Sequence, residues 1–129
     1  MKTTFRRTVA ILSALIMAAM IAAALPASVY AFLPDQQETD PPRDIGENEV
    51  MNVNNGEIGV NNGWLHNNNG TVGINYIDID ENSADGTVEI NNRTGTVFEN
   101  HGRVDQNYGS VMKNYENGTV TFNNSHGDV

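Results

Sequence analysis

The sequence predicts an all-β protein, a short parallel β-solenoid with two strands per turn and about five turns. Three observations predict it. Ten asparagines recur at one place in a short repeat: Asn54, Asn61, Asn68, Asn75, Asn82, Asn91, Asn100, Asn107, Asn114 and Asn123. Three residues before each lies one apolar residue, the series Met51, Ile58, Leu65, Val72, Ile79, Val88, Val97, Val104, Val111 and Val120. Two residues further back there is usually glycine, so the unit reads G-x-V-x-x-N, and a period this short repeats single strands and tight turns. The third observation is an alternation between two kinds of unit, which sets the number of strands per turn.

The chain opens on a different kind of segment. Lys2, Arg6 and Arg7 precede an apolar run from Val9 to Leu25, and small residues lead up to Ala31. Residues 1–31 read as a signal peptide, with secretion or the cell surface as the expected location. A membrane anchor is the rival, but the run is near the lower limit for a span, Pro26 and the small residues after it look like a cleavage region, and no basic stop-transfer cluster follows. No membrane span is expected after cleavage.

The remaining 98 or so residues suffice for one small domain. They hold four basic residues (Arg43, Arg93, Arg103, Lys113) against all sixteen acidic ones, a formal charge of −12. Nucleic acid and anionic lipid need neutralising cations, so neither is an expected partner. Cysteine is absent, so no disulfide staples the exported chain. Residues 32–48 carry three prolines (Pro34, Pro41, Pro42) and several carboxylates with few apolar residues, and read as a flexible, disordered lead.

The repeat domain spans residues 49–129. Numbered from the glycine position, units start at 49, 56, 63, 70, 77, 86, 95, 102, 109, 118 and 127; Glu49 and Ile77 replace glycine but keep the pattern. In alternate units, the fifth position holds Val60, Ile74, Ile90, Gln106 and Phe122, mostly apolar, as expected for strands that bury every second residue. In the others it holds Val53, Asn67, Glu81, Glu99 and Lys113, while His66, Phe98 and Met112 stand one place earlier. Two chemically distinct arms therefore alternate, giving two parallel strands and roughly 14 to 16 residues per turn, stacked at about 4.8 Å. A three-faced coil is the alternative.

The residue chemistry follows from this coil. Ile58, Leu65, Val72, Ile79, Val88, Val97, Val104, Val111 and Val120 point inward as a thin core. The ten asparagines stack at a corner, where their amides can bond one another in a ladder. Glycine is expected at the corner because it tolerates positive φ, and asparagine because it tolerates the left-handed region. Asn55-Gly56, Asn62-Gly63, Asn69-Gly70 and Asn117-Gly118 are turn signals in their own right. Units such as Asn68-Asn-Gly-Thr-Val72 resemble the Asn/Gly-rich short-repeat β-solenoid stretches of secreted and surface bacterial proteins. That resemblance covers about four-fifths of the exported chain and implies architecture rather than a particular activity.

Few residues suggest chemistry beyond the coil. Asp78, Asp80, Asn82 and Glu89 have the spacing of calcium-loop ligands, but Ser83 stands where glycine makes the sharp turn, and Asn82 already belongs to the asparagine series. No other metal and no cofactor is expected. His66, His101 and His126 lack ligand spacing and are expected as solvated corner residues. Trp64, Tyr76, Phe98, Tyr108 and Tyr115 could bind sugar rings as an exposed strip. No acid–base or nucleophile set is present, so no enzymatic activity is expected and no catalytic residue is assigned. The sequence favours a secreted structural or interaction module. Its expected partner is itself or another surface component of an extracellular matrix or cell surface, because unpaired solenoid ends invite stacking. A glycan-binding adhesin is the alternative, and a remnant of a longer solenoid protein is the third reading.

Overall fold

The computed structural model describes residues 30–124 and 127–129. Twelve strands run along it: β1 Ala31–Leu33, β2 Arg43–Ile45, β3 Glu49–Asn54, β4 Glu57–Asn61, β5 Trp64–Asn68, β6 Thr71–Asn75, β7 Asp78–Asn82, β8 Thr87–Asn91, β9 Thr96–Asn100, β10 Arg103–Asn107, β11 Ser110–Asn114 and β12 Thr119–Asn123. Odd strands form one six-stranded sheet, in the order β1-β3-β5-β7-β9-β11. Even strands form the other, β12-β10-β8-β6-β4-β2. All pairs are parallel. Each turn of the coil is one odd and one even strand, so the solenoid is two-faced and makes six turns.

Register follows the repeat. Val88 lies beside Val104 and Asn91 beside Asn107; on the other sheet Ile79 pairs with Val97 and Asn82 with Asn100. The coil keeps its backbone bonding through the corners, as in Asn69 N–H to Asn54 O (2.8 Å) and Thr71 N–H to Gly56 O (2.9 Å). From β3 on, most corners are two residues long, and the three of four residues are each closed by a β-turn bond, such as Gly86 N–H to Ser83 O and Gly95 N–H to Asn92 O, each 2.8 Å.

The interior is half hydrocarbon and half amide. Ile45, Met51, Ile58, Leu65, Val72, Ile79, Val88, Val97, Val104 and Val111 form a single buried file between the sheets, with Leu33 and Val120 packed against it half-exposed. Burying each Val, Leu or Ile contributes about 1.5–3 kcal/mol. On either side of this file runs an asparagine ladder. In one, Nδ2 of Asn54 donates to Oδ1 of Asn68, and the series continues through Asn82 and Asn100 to Asn114. In the other, Asn61 donates to Asn75, then Asn91, Asn107 and Asn123. The amide–amide bonds are 2.7–2.9 Å, and every donor points toward the later turn. Asn54 to Asn107 are fully buried, whereas Asn114 and Asn123 at the last turn are exposed. Nearly every rung also donates to a backbone carbonyl, as Asn91 does to Ser110 O at 3.1 Å. The single expected column is therefore two ladders, one at each corner of the coil.

Three expectations are corrected. Residues 32–48 are not a free lead: β1 and β2 complete the first turn. Leu33 pairs with Met51, Ile45 is fully buried, and Gln36 takes the asparagine place opposite Asn54, its Nε2 donating to Pro41 O at 2.8 Å. Asp35 and Asp44 accept from the backbone N–H of Val53 (3.0 Å) and Val60 (2.8 Å), so carboxylates satisfy strand-edge donors at this end.

The second correction concerns glycine. No described glycine has positive φ, and the one described residue that does is Asn48 (φ 61°), in the corner before β3. Glycine is needed for space. A Cβ on Gly63 would lie 2.6 Å from Gly46 O, and one on Gly102 would press on the carbonyls of Ser83 and Gly86. At these positions the stacked corners leave no room for a side chain.

Third, strands do not bury alternate residues. The inward positions are the second and the fifth residues of each five-residue strand, with two residues between them. Val60, Ile74 and Ile90 are only half-buried, and Gln106 and Phe122 are exposed.

Candidate functional site

The repeat that builds the coil also fixes which outward side chains meet. Residues at the same place in successive odd strands lie next to one another, so Trp64 faces Asp78 across β5 and β7. Two positions along, His66 faces Asp80. Asp80 joins this pair into a cluster: its Oδ1 accepts from Trp64 Nε1–H at 2.8 Å, and its Oδ2 lies 2.7 Å from His66 Nδ1. The indole and imidazole rings are 5.7 Å apart. Trp64 is 38% exposed, yet its ring is tied down by this bond.

Beside the indole opens a groove of about 320 Å³, bounded by Trp64, Ile77, Asn62, Glu47, Asp78 and Tyr30, with Glu49 at its base. Glu49 is committed to the fold, since its Oε2 accepts from Gly46 N–H at 2.6 Å. The groove thus combines one fixed aromatic face, one aliphatic wall and carboxylates, with no cationic side chain in its lining. Such a surface can hold a flat, partly apolar ligand that carries hydroxyls or positive charge.

The other candidate residues separate. Asp78 and Asp80 lie on the outer side of β7, Glu89 is exposed on β8 in the opposite sheet, and Asn82 is buried with its amide and its Oδ1 used by the ladder. The four proposed calcium ligands therefore do not converge. Among the described residues no group of three or more His, Cys, Asp or Glu side chains is placed to hold a metal ion.

His66 belongs to the strand cluster rather than a corner. His101 is at a corner, stacked on Tyr115 with ring centroids 3.9 Å apart. His126 lies outside the described residues. The aromatic residues do not form one strip: Trp64 and Phe98 are on the odd sheet, Tyr76 and Tyr108 at one corner, and Tyr115 at the other. Near Tyr115, Lys113 has its pKa raised, chiefly by the hydrogen bond its ammonium donates to the Tyr115 hydroxyl.

The Trp64–His66–Asp80 cluster went unpredicted, although His66 and Asp80 are one 14-residue turn apart at equivalent positions, which is the signal that could have found it. The proposed signal peptide lies outside the described residues except for Tyr30 and Ala31, and among the described residues no helix is long and apolar enough to cross a membrane.

Fold and site together define a short, two-sheet parallel β-solenoid with paired asparagine ladders. No family profile, no curated protein and no solved structure matches the chain.

Proposed function

We propose that this protein is exported and acts without catalysis, as a structural or interaction module that associates with a second copy of itself in an extracellular matrix or surface layer. The observation that carries this reading is the difference between the two ends of the coil. At the first turn, the edge strands β1 and β2 are only three residues long and Pro34 and Pro42 flank them, which keeps that edge short. At the last described turn, β12 is hydrogen-bonded only to β10, and four of its five residues are exposed, Phe122 at 53% among them. Asp128 covers part of the neighbouring β11 by accepting from Val111 N–H (2.8 Å), so β12 is the edge that offers itself.

Two copies meeting edge to edge through β12 would be related by a two-fold axis and would form a closed pair. Stacking onto the first turn would find only two short, proline-flanked strand edges. The formal charge of −12 on the exported chain opposes side-by-side packing, and divalent cations would relieve it. Light scattering across a concentration series, with and without calcium, tests the reading. The expected result is a mass that rises toward the dimer and returns to monomer in Thr121→Lys, which sets a charge on the edge. A strict monomer under all conditions, or a dimer indifferent to Thr121→Lys, would sink it.

A second reading, binding of a glycan, is favoured by the groove at Trp64, whose exposed ring is held in place by Asp80.

A further inference from the structure

We infer that the groove beside Trp64 takes a glycan whose sugar rings carry free, protonated amino groups; the inference rests on the glycan reading and narrows it to one chemical class. Three features point there. The first is the fixed indole. Exposed tryptophans ordinarily lose rotamer freedom when a ligand settles on them, but Trp64 is already tied through Nε1 to Asp80, whose second oxygen is engaged by His66. A platform ordered before binding adds to affinity because less entropy is lost on contact.

The second feature is shape. The groove, about 320 Å³, is at the small end of ligand sites, a scale suited to one or two sugar rings rather than to an extended chain. Ile77, 41% exposed, and the indole present apolar surface to the C–H face of a pyranose, while Asn62 presents an amide beside them.

The third feature is charge. Glu47 and Asp78 line the groove, Glu49 is spent on Gly46, and no lysine or arginine is nearby to neutralise them. Anionic glycans would be repelled, both locally and by the acidic chain as a whole. Neutral glycans would stack on Trp64 and donate hydroxyls to the carboxylates, but would leave their negative charge uncompensated. A protonated amine on the ring satisfies both, since it can sit against a carboxylate and near the indole face. Basic peptide side chains carry the same charge, but they pay rotamer entropy that a rigid ring does not. Tyr30 closes one side of the groove, and cleavage after Ala31, on the export reading, would remove it while leaving Trp64, Ile77 and Asp78 in place.

Trp64 is the one tryptophan in the chain, so its fluorescence reports on the groove directly. The purified protein is titrated with glucosamine oligomers, with the same oligomers N-acetylated, and with polylysine, at a pH where the amines are charged. Glucosamine oligomers are expected to shift the emission and to bind more weakly as salt rises, and N-acetylation is expected to weaken binding by about tenfold or more. Asp78→Asn should cause a loss of similar size with an unchanged circular dichroism spectrum, and Asp80→Ala, which removes the acceptor for Trp64 Nε1–H and frees the ring, a smaller one. Equal binding of the two oligomer types would overturn the cationic class while sparing the glycan reading. Binding of polylysine alone would overturn both in favour of a basic peptide. Silence of all three ligands, checked by calorimetry, would remove the groove from consideration.

Discussion

Asn91 sits in the middle of one ladder, fully buried, and its replacement by alanine measures what the ladder contributes. Its Oδ1 accepts from Asn75 Nδ2 at 2.9 Å, and its Nδ2 donates to Asn107 Oδ1 at 2.8 Å and to Ser110 O at 3.1 Å. Asn91→Ala removes all three bonds where water has no ready access. At about 0.5–1.5 kcal/mol net for each, the loss is roughly 1.5–4.5 kcal/mol, with the upper part more apt because partners are left buried. Asn123, the exposed last rung, accepts from Asn107 Nδ2 (2.8 Å) and donates to Gly127 O (2.9 Å). Water can replace these contacts, so Asn123→Ala should cost about 1 kcal/mol or less. Urea unfolding followed by circular dichroism compares the two variants. A gap of about 2 kcal/mol corresponds to a melting difference of roughly 8–16 °C for a domain of this size. Equal destabilisation by the two substitutions would refute the claim that the buried amide–amide bonds stabilise the coil.

Three further outcomes follow from the same interior. Leu65→Ala opens the apolar file where it is one side chain wide, and should cost about 2–5 kcal/mol in the same unfolding assay. Gly102→Ala adds a methyl group against the Ser83 and Gly86 carbonyls, and should destabilise by about 1–3 kcal/mol or more, whereas a corner limited by φ alone would tolerate it, since no described glycine has positive φ. In Asn91→Asp, burial raises the folded-state pKa above the unfolded value of about 3.9. The protonated acid can still accept from Asn75 and donate to Asn107, so this variant should approach wild-type stability in acid and lose it as pH rises through the raised pKa. A urea midpoint that differs from wild type by the same amount at acidic and neutral pH would contradict this.

The coil was legible because its chemistry repeats. One apolar residue and one amide per strand, three places apart, fix both inward positions, and sorting alternate units yields two strands per turn. The first turn was hidden for a physical reason. Leu33 and Gln36 keep the same three-residue separation, but Gln36 replaces asparagine and stands 18 residues before Asn54, and the prolines between them read as disorder. Those prolines lie in the loop between β1 and β2, where no ladder N–H is required of them. The role of glycine was misread because a one-dimensional pattern shows which residue is required and not which neighbour excludes the others; the excluding atoms are carbonyls one turn away. The groove at Trp64 was out of reach because Glu47, Asn62 and Ile77 come together only once the first turn is in place.

Ladder polarity bears on how the coil could meet a partner. Every amide donates toward the later turn, so the last donors, Asn114 and Asn123, would be left over if nothing followed. Each keeps one bond within its own turn, Asn114 to Gly118 O at 2.8 Å and Asn123 to Gly127 O at 2.9 Å, which leaves the second hydrogen of each exposed amide outside the ladder. A second copy would therefore gain little by extending the ladders, since it would offer one amide hydrogen per ladder a protein partner in place of water. On the proposed pairing, its gain would come mainly from the backbone edge of β12 and from exposed Phe122, a small surface. Association through such an edge would be weak and reversible. A solenoid with one open strand edge would suit concentration-dependent pairing, and a multivalent ligand offering separate short segments to the Trp64 grooves of two copies would raise the local concentration that pairing needs.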